Sequence, residues 1–87
     1  MTREAILNRL LTIFKNEFEI ADPGMDDDLR EAHGFDSIDA IELLREIEEM
    51  LGCELSQEQK KAAMDRIRTL NQIVDYVEGL VAASAGA

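Results

Sequence analysis

Ser37 has the surroundings most suggestive of chemistry in this chain, because it follows Asp36 and stands at the start of a predicted helix. A serine hydroxyl becomes a nucleophile when a neighbouring base removes its proton. His33 is the only histidine, but no Ser–His–Asp arrangement accompanies it, so we expect a surface or hydrogen-bonding loop residue. Cys53 follows Gly52 and is expected to pack as a small side chain. We therefore predict no catalytic residue, and by position alone Ser37 is a capping or surface serine.

Three consecutive acids, Asp26, Asp27 and Asp28, raise the question of a calcium site, because carboxylates are calcium ligands. An EF-hand loop needs acids at alternating positions, a glycine for its turn and a glutamate at its last position. The three acids here are adjacent and lack a matching glycine. We therefore expect no metal site.

The first element that must position Ser37 is a helix over residues 3–19, with a long loop after it. Apolar side chains recur at every fourth position of that helix, at Ile6, Leu10, Phe14 and Phe18. The sequence Ala-Asp-Pro-Gly at 21–24 is a stop signal and begins the loop. The loop runs to about Phe35, and Leu29 is its expected anchor in the core.

Three further helices are bounded by capping signals, namely a cap residue, a glycine or a Ser/Thr-x-x-Gln box. Their predicted spans are 37–51, from Ser56 to about Ile67, and from Thr69 to about Val81. The fold class is therefore all-α: a four-helix bundle with a long loop between helices 1 and 2 and a short-to-medium third helix. One domain is expected over residues 1–87, ordered over about 3–81, with a flexible tail at 82–87.

Charge is concentrated in the middle of the chain. Among 87 residues there are 19 acidic and 9 basic side chains, which gives a net charge of −10. Residues 22–54 hold twelve acids against Arg30 and Arg45, so this segment alone has a charge of −10. Nucleic-acid binding needs clustered Lys and Arg, so we expect no nucleic-acid partner. The acidic segment instead predicts docking of a basic protein surface.

The sequence also bears on the compartment. No apolar run approaches the roughly 20 residues of a membrane-spanning helix, and residues 1–4 lack the apolar stretch of a signal peptide. A single cysteine excludes an intramolecular disulfide and is compatible with a reducing cytosol. We expect a cytoplasmic monomer without a membrane span.

The second predicted helix has an outer face that is not uniformly polar. At about 100° per residue, Ile38 and Ile41 fall opposite the apolar face and beside carboxylates. Two exposed isoleucines one turn apart indicate a protein-docking patch, and the alternative is that they contact the long loop. The predicted docking residues are Ile38, Asp39, Ile41, Glu42, Arg45, Glu48, Glu49 and Ile67.

The stretch from Gly34 to Leu43 reads Gly-Phe-Asp-Ser-Ile-Asp-Ala-Ile-Glu-Leu. It resembles the attachment motif of acyl carrier proteins, roughly Gly-x-Asp-Ser-Leu-x-x-x-Glu-Leu, and it opens the second of four predicted helices. Residues 69–77 look like the family's last helix, so the resemblance covers about residues 3–81. It implies that Ser37 carries 4'-phosphopantetheine through a phosphodiester, with Asp36 and Gly34 completing the cofactor-binding motif.

The resemblance implies a carrier that holds acyl groups as thioesters and is not itself an enzyme. The implied partners are a phosphopantetheinyl transferase and the acyl-loading, ketosynthase, reductase or acyltransferase enzymes of fatty-acid, polyketide or related lipid synthesis, with basic docking surfaces. One alternative is an aminoacyl or peptidyl carrier with the same arm; Asp36 and the acidic second helix favour the acyl version. The other is an unmodified helical interaction module in which Ser37 is only a cap.

Three features depart from the family's pattern. His33 stands where the family usually has leucine, and Arg45 stands on the docking face where relatives in fatty acid synthesis usually have an apolar residue. The stretch from Ser56 to Thr69 is about one turn longer than the family's third helix and is locally basic. Together they predict a dedicated pathway, although Arg45 could simply pair with Glu42 or Glu49 along the helix.

Overall fold

The computed structural model describes residues 2–85, and within them the chain forms five α-helices. They are α1 (Arg3–Phe18), α2 (Leu29–His33), α3 (Ser37–Leu51), α4 (Gln57–Arg66) and α5 (Leu70–Ala85). The all-helical prediction is confirmed, and no strand occurs in residues 2–85. None of the described helices is long and apolar enough to cross a membrane.

Two boundaries differ from the prediction. The predicted long loop contains α2, so the bundle has a short fifth helix between the first two long ones. The last helix continues to Ala85, beyond the predicted end near Val81 and into the predicted tail. The remainder of that tail, residues 86–87, lies outside the described residues.

The helices begin where short polar side chains cap them. The Thr2 hydroxyl accepts a hydrogen bond from the Ala5 amide at 3.1 Å and caps α1. Ser56 and Gln59 form a capping box at the start of α4. Thr69 and Gln72 form a second one before α5: the Gln72 amide donates to Thr69 Oγ1 at 3.2 Å and the Thr69 amide donates to Gln72 Oε1 at 3.1 Å. These side chains satisfy N–H groups that a helix cannot pair internally.

One hydrophobic cluster joins the helices. Helix α1 packs against α5 and α3, and α3 packs against α4. The predicted core residues of α1 are buried, with Phe18 partly buried at the edge of the cluster. Its ring meets those of Phe14 and Phe35 at centroid distances of 5.6 and 5.4 Å, so an aromatic group fills the end of the bundle beneath the start of α3.

The connection between α1 and α3 is held against the start of α5. Leu29 is fully buried, as predicted, and its amide donates to the Arg68 carbonyl at 2.9 Å. Farther back, the Asn71 amide donates to the Met25 carbonyl at 3.0 Å, and Asn71 Nδ2 donates to Asp26 at 2.7 Å. These contacts fix the segment that leads into Ser37.

Candidate functional site

Ser37 is the first residue of α3, and its side chain is exposed. Asp36 caps the helix: its carboxylate accepts from the Asp39 amide at 3.0 Å, and the Asp39 carboxylate accepts from the Asp36 amide at 3.2 Å. The N–H groups of Ser37 and Ile38 have no acceptor within the helix. Ser37 therefore stands at the positive end of a fifteen-residue helix dipole.

Gly34 and Phe35 turn the chain between α2 and α3. Gly34 has φ of 67°, a left-handed conformation that favours glycine, and its amide donates to the Arg30 carbonyl at 3.1 Å. A Cβ on Gly34 would meet nothing within 4 Å, so this glycine is needed for its backbone angle and not for a close approach. Phe35 is buried after the turn, with its amide bonded to the Leu29 carbonyl at 3.0 Å.

Ser37 faces a shallow depression of about 190 Å³. Its lining residues are Arg30, Gly34, Phe35, Asp36 and Ser37. Arg30 Nη2 lies 3.4 Å from Ser37 Oγ, a long hydrogen bond. The hydroxyl is thus open to solvent and has a cation beside it. This arrangement could accommodate a group attached to Oγ. The sequence pattern gave no signal for Arg30.

His33 and the three consecutive aspartates have structural partners near this turn. His33 Nε2 lies 3.3 Å from the Asp27 carboxylate, which also accepts from the Gly24 amide at 3.0 Å. Asp28 caps α2 by accepting from the amides of Arg30 and Glu31. The carboxylates are therefore spread over separate contacts, with Asp26 bonded to Asn71 as described above.

The outer face of α3 exposes the two predicted isoleucines. Ile38 is 76% exposed and Ile41 is 55% exposed, so they are not covered by the preceding loop. Around them lie the half-buried Asp39 and Glu42 and the exposed Glu49. Arg45 is also exposed, and its guanidinium lies 3.7 Å from the Glu42 carboxylate. This exposed part of α3, comprising Ile38, Asp39, Ile41, Glu42, Arg45 and Glu49, is hereafter the α3 outer face.

Two predicted docking residues do not belong to the α3 outer face. Ile67 is only 5% exposed, because the backbone leaves the helical conformation after α4 and its side chain packs in the core. Glu48 is half-buried and bonded internally: it accepts from the Leu55 amide at 2.9 Å and pairs with Lys60 at 3.4 Å. The sequence prediction included Glu48 among the docking residues but could not reveal these partners in the following loop and helix.

The carboxyl groups of Glu46 and Glu48 are shifted in opposite directions. The Leu55 hydrogen bond, assisted by the Lys60 charge, lowers the pKa of Glu48 below its ordinary value. Desolvation, with repulsion from Glu17 next in size, raises the pKa of Glu46. Glu48 is therefore a structural anion that links α3 to the start of α4.

A groove of about 500 Å³ separates α3 from α4 beside the α3 outer face. Its walls combine apolar residues with cations, and it is lined by Ile41, Leu44, Arg45, Glu48, Gln57, Lys60, Lys61 and Met64. Among the cations, Arg45 and Lys60 have carboxylate partners, at 3.7 and 3.4 Å respectively. The acidic α3 outer face therefore has a basic border.

Comparison with known proteins agrees with this geometry. A family model described as the phosphopantetheine attachment site matches residues 8–77. An acyl carrier protein 2 from Ralstonia nicotianae is 36% identical over 88 residues, covering 95% of this chain and 100% of the relative. An acyl carrier protein from Coprothermobacter proteolyticus is 31% identical over 80 residues, covering 90% of this chain and 93% of the relative.

The match runs from within α1 to within α5 and includes the start of α3, where an exposed serine hydroxyl opens onto a depression beside a cation. These features fit a phosphodiester-linked arm, because the Ser37 hydroxyl is accessible and negative charge is favoured at a helix N-terminus. 4'-Phosphopantetheine is the cofactor of this family. From its matched sequence and its relatives, the chain belongs to the acyl carrier protein family.

Proposed function

We propose that this chain carries acyl intermediates as thioesters on a 4'-phosphopantetheine arm attached to Ser37, and presents them to enzymes of fatty-acid, polyketide or related lipid synthesis in a dedicated pathway. The observation that carries the proposal is the exposed Ser37 hydroxyl at the start of α3, next to the capping box and open to solvent. In this role the chain is a substrate of its partner enzymes and not a catalyst.

The start of α3 suits an attached phosphodiester. Such a group keeps one negative charge at neutral pH, and the helix dipole stabilises an exposed anion there by roughly 0.3–1 kcal/mol. The capping box holds Asp36 and Asp39 in fixed hydrogen bonds, so the first turn has a defined geometry. When bound, the arm supplies a thiol that forms the thioester with the acyl group.

The α3 outer face supports docking of basic enzymes close to Ser37. Its two isoleucines provide an apolar contact, and its carboxylates provide charge complementarity that speeds association. A phosphopantetheinyl transferase would be the first such partner, followed by the enzymes that load, extend, reduce or transfer the acyl group. We infer a cytoplasmic location from the single, unpaired Cys53, which is compatible with a reducing compartment.

The proposal is tested by intact mass spectrometry of the chain purified from its native host. We expect the mass of the chain plus one phosphopantetheinyl group, with peptide mapping that places this group on Ser37. A further mass released by hydroxylamine would identify a thioester cargo and hence the pathway. An aminoacyl cargo would contradict the acyl assignment, and a chain without the arm in growing cells would contradict the carrier function.

A further inference from the structure

We propose that Arg30 holds the phosphodiester of the arm, as its ionic partner on the protein. This inference rests on the proposed function, because it requires the arm to be attached to Ser37. It adds a specific contact that neither the attachment motif nor the docking surface includes. The chemistry is that of a guanidinium recognising a phosphate anion, for which arginine is well suited because its planar donors can contact two oxygens at once.

Within the acidic segment, the charge distribution sets Arg30 apart. Residues 22–54 contain twelve acids and only two basic residues, Arg30 and Arg45. Arg45 pairs with Glu42 on α3. Within residues 2–85, by contrast, no salt bridge joins Arg30 to a carboxylate, although acids surround it in sequence. Its guanidinium instead donates a long hydrogen bond, of 3.4 Å, to the uncharged hydroxyl of Ser37.

Local backbone structure fixes this placement. Arg30 is the second residue of the five-residue α2, and its carbonyl accepts the Gly34 amide at the end of that helix. Leu29, next to it, is fully buried and bonded to the Arg68 carbonyl. The short helix is therefore tied to the core on one side, and it directs the guanidinium toward the start of α3.

The distances allow the ion pair without rearrangement of the backbone. Arg30 Nη2 already lies 3.4 Å from Ser37 Oγ, the atom to which phosphorus would be bonded. The free oxygens of such a phosphodiester would be bonded to that phosphorus, and the depression that Arg30 and Ser37 both line would be open to them. The neighbouring acids Asp36 and Asp39 repel an anion here, so a cation at this position offsets an unfavourable field.

The experiment is phosphorus NMR on the full-length chain carrying the arm, with intact mass confirming attachment in each sample. Arg30→Gln removes the charge and leaves a shorter polar side chain, and Arg30→Lys retains the charge. The matched control is Arg66→Gln, because Arg66 is an exposed arginine in the last turn of α4 and lines a different depression, which does not include Ser37. The unfolded state of each carrier in urea gives the reference phosphorus shift.

In the wild type we expect a phosphorus shift distinct from the unfolded reference, and added salt should reduce the difference. Arg30→Gln should remove most of that difference, Arg30→Lys should restore part of it, and Arg66→Gln should leave it unchanged. Attachment of the arm should also raise Tm by roughly 1–4 °C more in the wild type than in Arg30→Gln.

The role of Arg30 would be overturned if Arg30→Gln, with the arm confirmed by mass, showed the same phosphorus shift as the wild type and the same gain in Tm on attachment. The proposed function would then remain intact. An equal effect of Arg66→Gln would also overturn it, since the effect would then come from net charge. If active transferases attach no arm to the wild type, both proposals fail together.

Discussion

Glu46 and Glu48 lie two residues apart on α3, yet their surroundings shift the pKa values of the two carboxyl groups in opposite directions. Glu48 accepts the Leu55 amide and pairs with Lys60, so its ionised form is favoured and its pKa is lowered from 4.5. Glu46 is partly desolvated and faces Glu17, so its ionised form is disfavoured and its pKa is raised from 4.5. Ionisation of Glu48 therefore stabilises the folded state, whereas ionisation of Glu46 destabilises it.

These shifts predict opposite pH dependences. The contribution of Glu48 is fully present above pH 4.5 and is lost as the pH falls through its lowered pKa. The contribution of Glu46 is present below pH 4.5 and is lost as the pH rises through its raised pKa. At pH 7, Glu48→Gln should therefore lower Tm and Glu46→Gln should raise it, and both differences should shrink in acid. Thermal unfolding across pH tests this, and equal effects of the two variants at pH 7 would contradict it.

At the scale of elements, α3 has two apolar faces with different roles. Leu44 is 1% exposed and packs in the core, whereas Ile41 projects from the α3 outer face three residues earlier. Burial decides the cost of truncation, because a buried side chain leaves a cavity and an exposed one does not. Exposed isoleucines beside carboxylates are instead available to a partner.

We predict that Leu44→Ala destabilises the fold by about 2–5 kcal/mol. Ile41→Ala should change stability by no more than about 0.5 kcal/mol. For docking we expect the exposed residue to matter instead. Ile41→Ala should raise the KM of a phosphopantetheinyl transferase for the carrier while Tm stays near the wild-type value. Urea unfolding and transfer kinetics measure the two effects. A wild-type KM for Ile41→Ala would remove Ile41 from the docking surface.

The charges of the same face give a separate prediction. Glu42→Lys and Glu49→Lys should each weaken binding to the transferase, and added salt should weaken binding of the wild type, because the attraction is between exposed charges. Asp65→Lys is the matched control, since Asp65 is an exposed acid of α4 outside the α3 outer face. Salt-independent affinity, or equal losses for all three variants, would count against docking through α3.

The long helices could be predicted from sequence because short capping signals mark their ends and apolar residues recur at helical spacing along their buried faces. The start of α3 at Ser37 and its end at Leu51 agree with the prediction, since Asp36 and Gly52 are local signals. Helix α2 was not predicted, because five residues are too few to show a helical repeat of apolar positions, although Asp28 and Gly34 mark its two ends. The burial of Ile67 was not predicted, because the position of its side chain depends on the turn between α4 and α5.

The candidate site was predictable only in part for the same reason. The motif pointed to Ser37, and the helical period separated Ile38 and Ile41 from the core. The partners of Arg30 and Glu48 could not be read from spacing, because Arg30 reaches Ser37 across a glycine turn and Glu48 reaches Leu55 beyond the end of its helix. Contacts across turns depend on backbone angles that a periodic pattern does not encode.

At the scale of the whole molecule, the net charge of −10 is not spread evenly around the bundle. The α3 outer face, which itself includes Arg45, borders a groove that is also lined by Lys60 and Lys61. A basic partner would be attracted by the carboxylates of this surface and repelled by its cations, of which Arg45 and Lys60 are partly offset by their carboxylate partners. Recognition can be made selective by such a penalty on the wrong partner. This charge pattern supports the proposal of a dedicated pathway.

We therefore predict that the wild-type carrier is a poor substrate for housekeeping fatty-acid elongation enzymes and that Arg45→Met improves their turnover. The substitution removes a cation that repels their basic surfaces, and it also frees Glu42 from its ion pair at 3.7 Å. Because Arg45 is exposed, stability should change by no more than about 0.5 kcal/mol. Elongation rates of loaded wild type, Arg45→Met and a housekeeping carrier test this. Wild-type elongation rates equal to those of the housekeeping carrier would contradict specialisation. An elongation rate of Arg45→Met equal to that of the wild type would show that Arg45 is not the cause.

The central claim is that Ser37 is the attachment site, and the transfer reaction itself tests it most directly. The apo chain, Ser37→Ala and Ser56→Ala are incubated with coenzyme A, magnesium and a broad-specificity phosphopantetheinyl transferase, and their intact masses are measured. Ser56 is the matched control because it is another exposed serine at the start of a helix. We expect the mass of one phosphopantetheinyl group to be added to the wild type and to Ser56→Ala, and none to a folded Ser37→Ala. Modification of Ser37→Ala, or an unmodified wild type with several active transferases, would contradict the account.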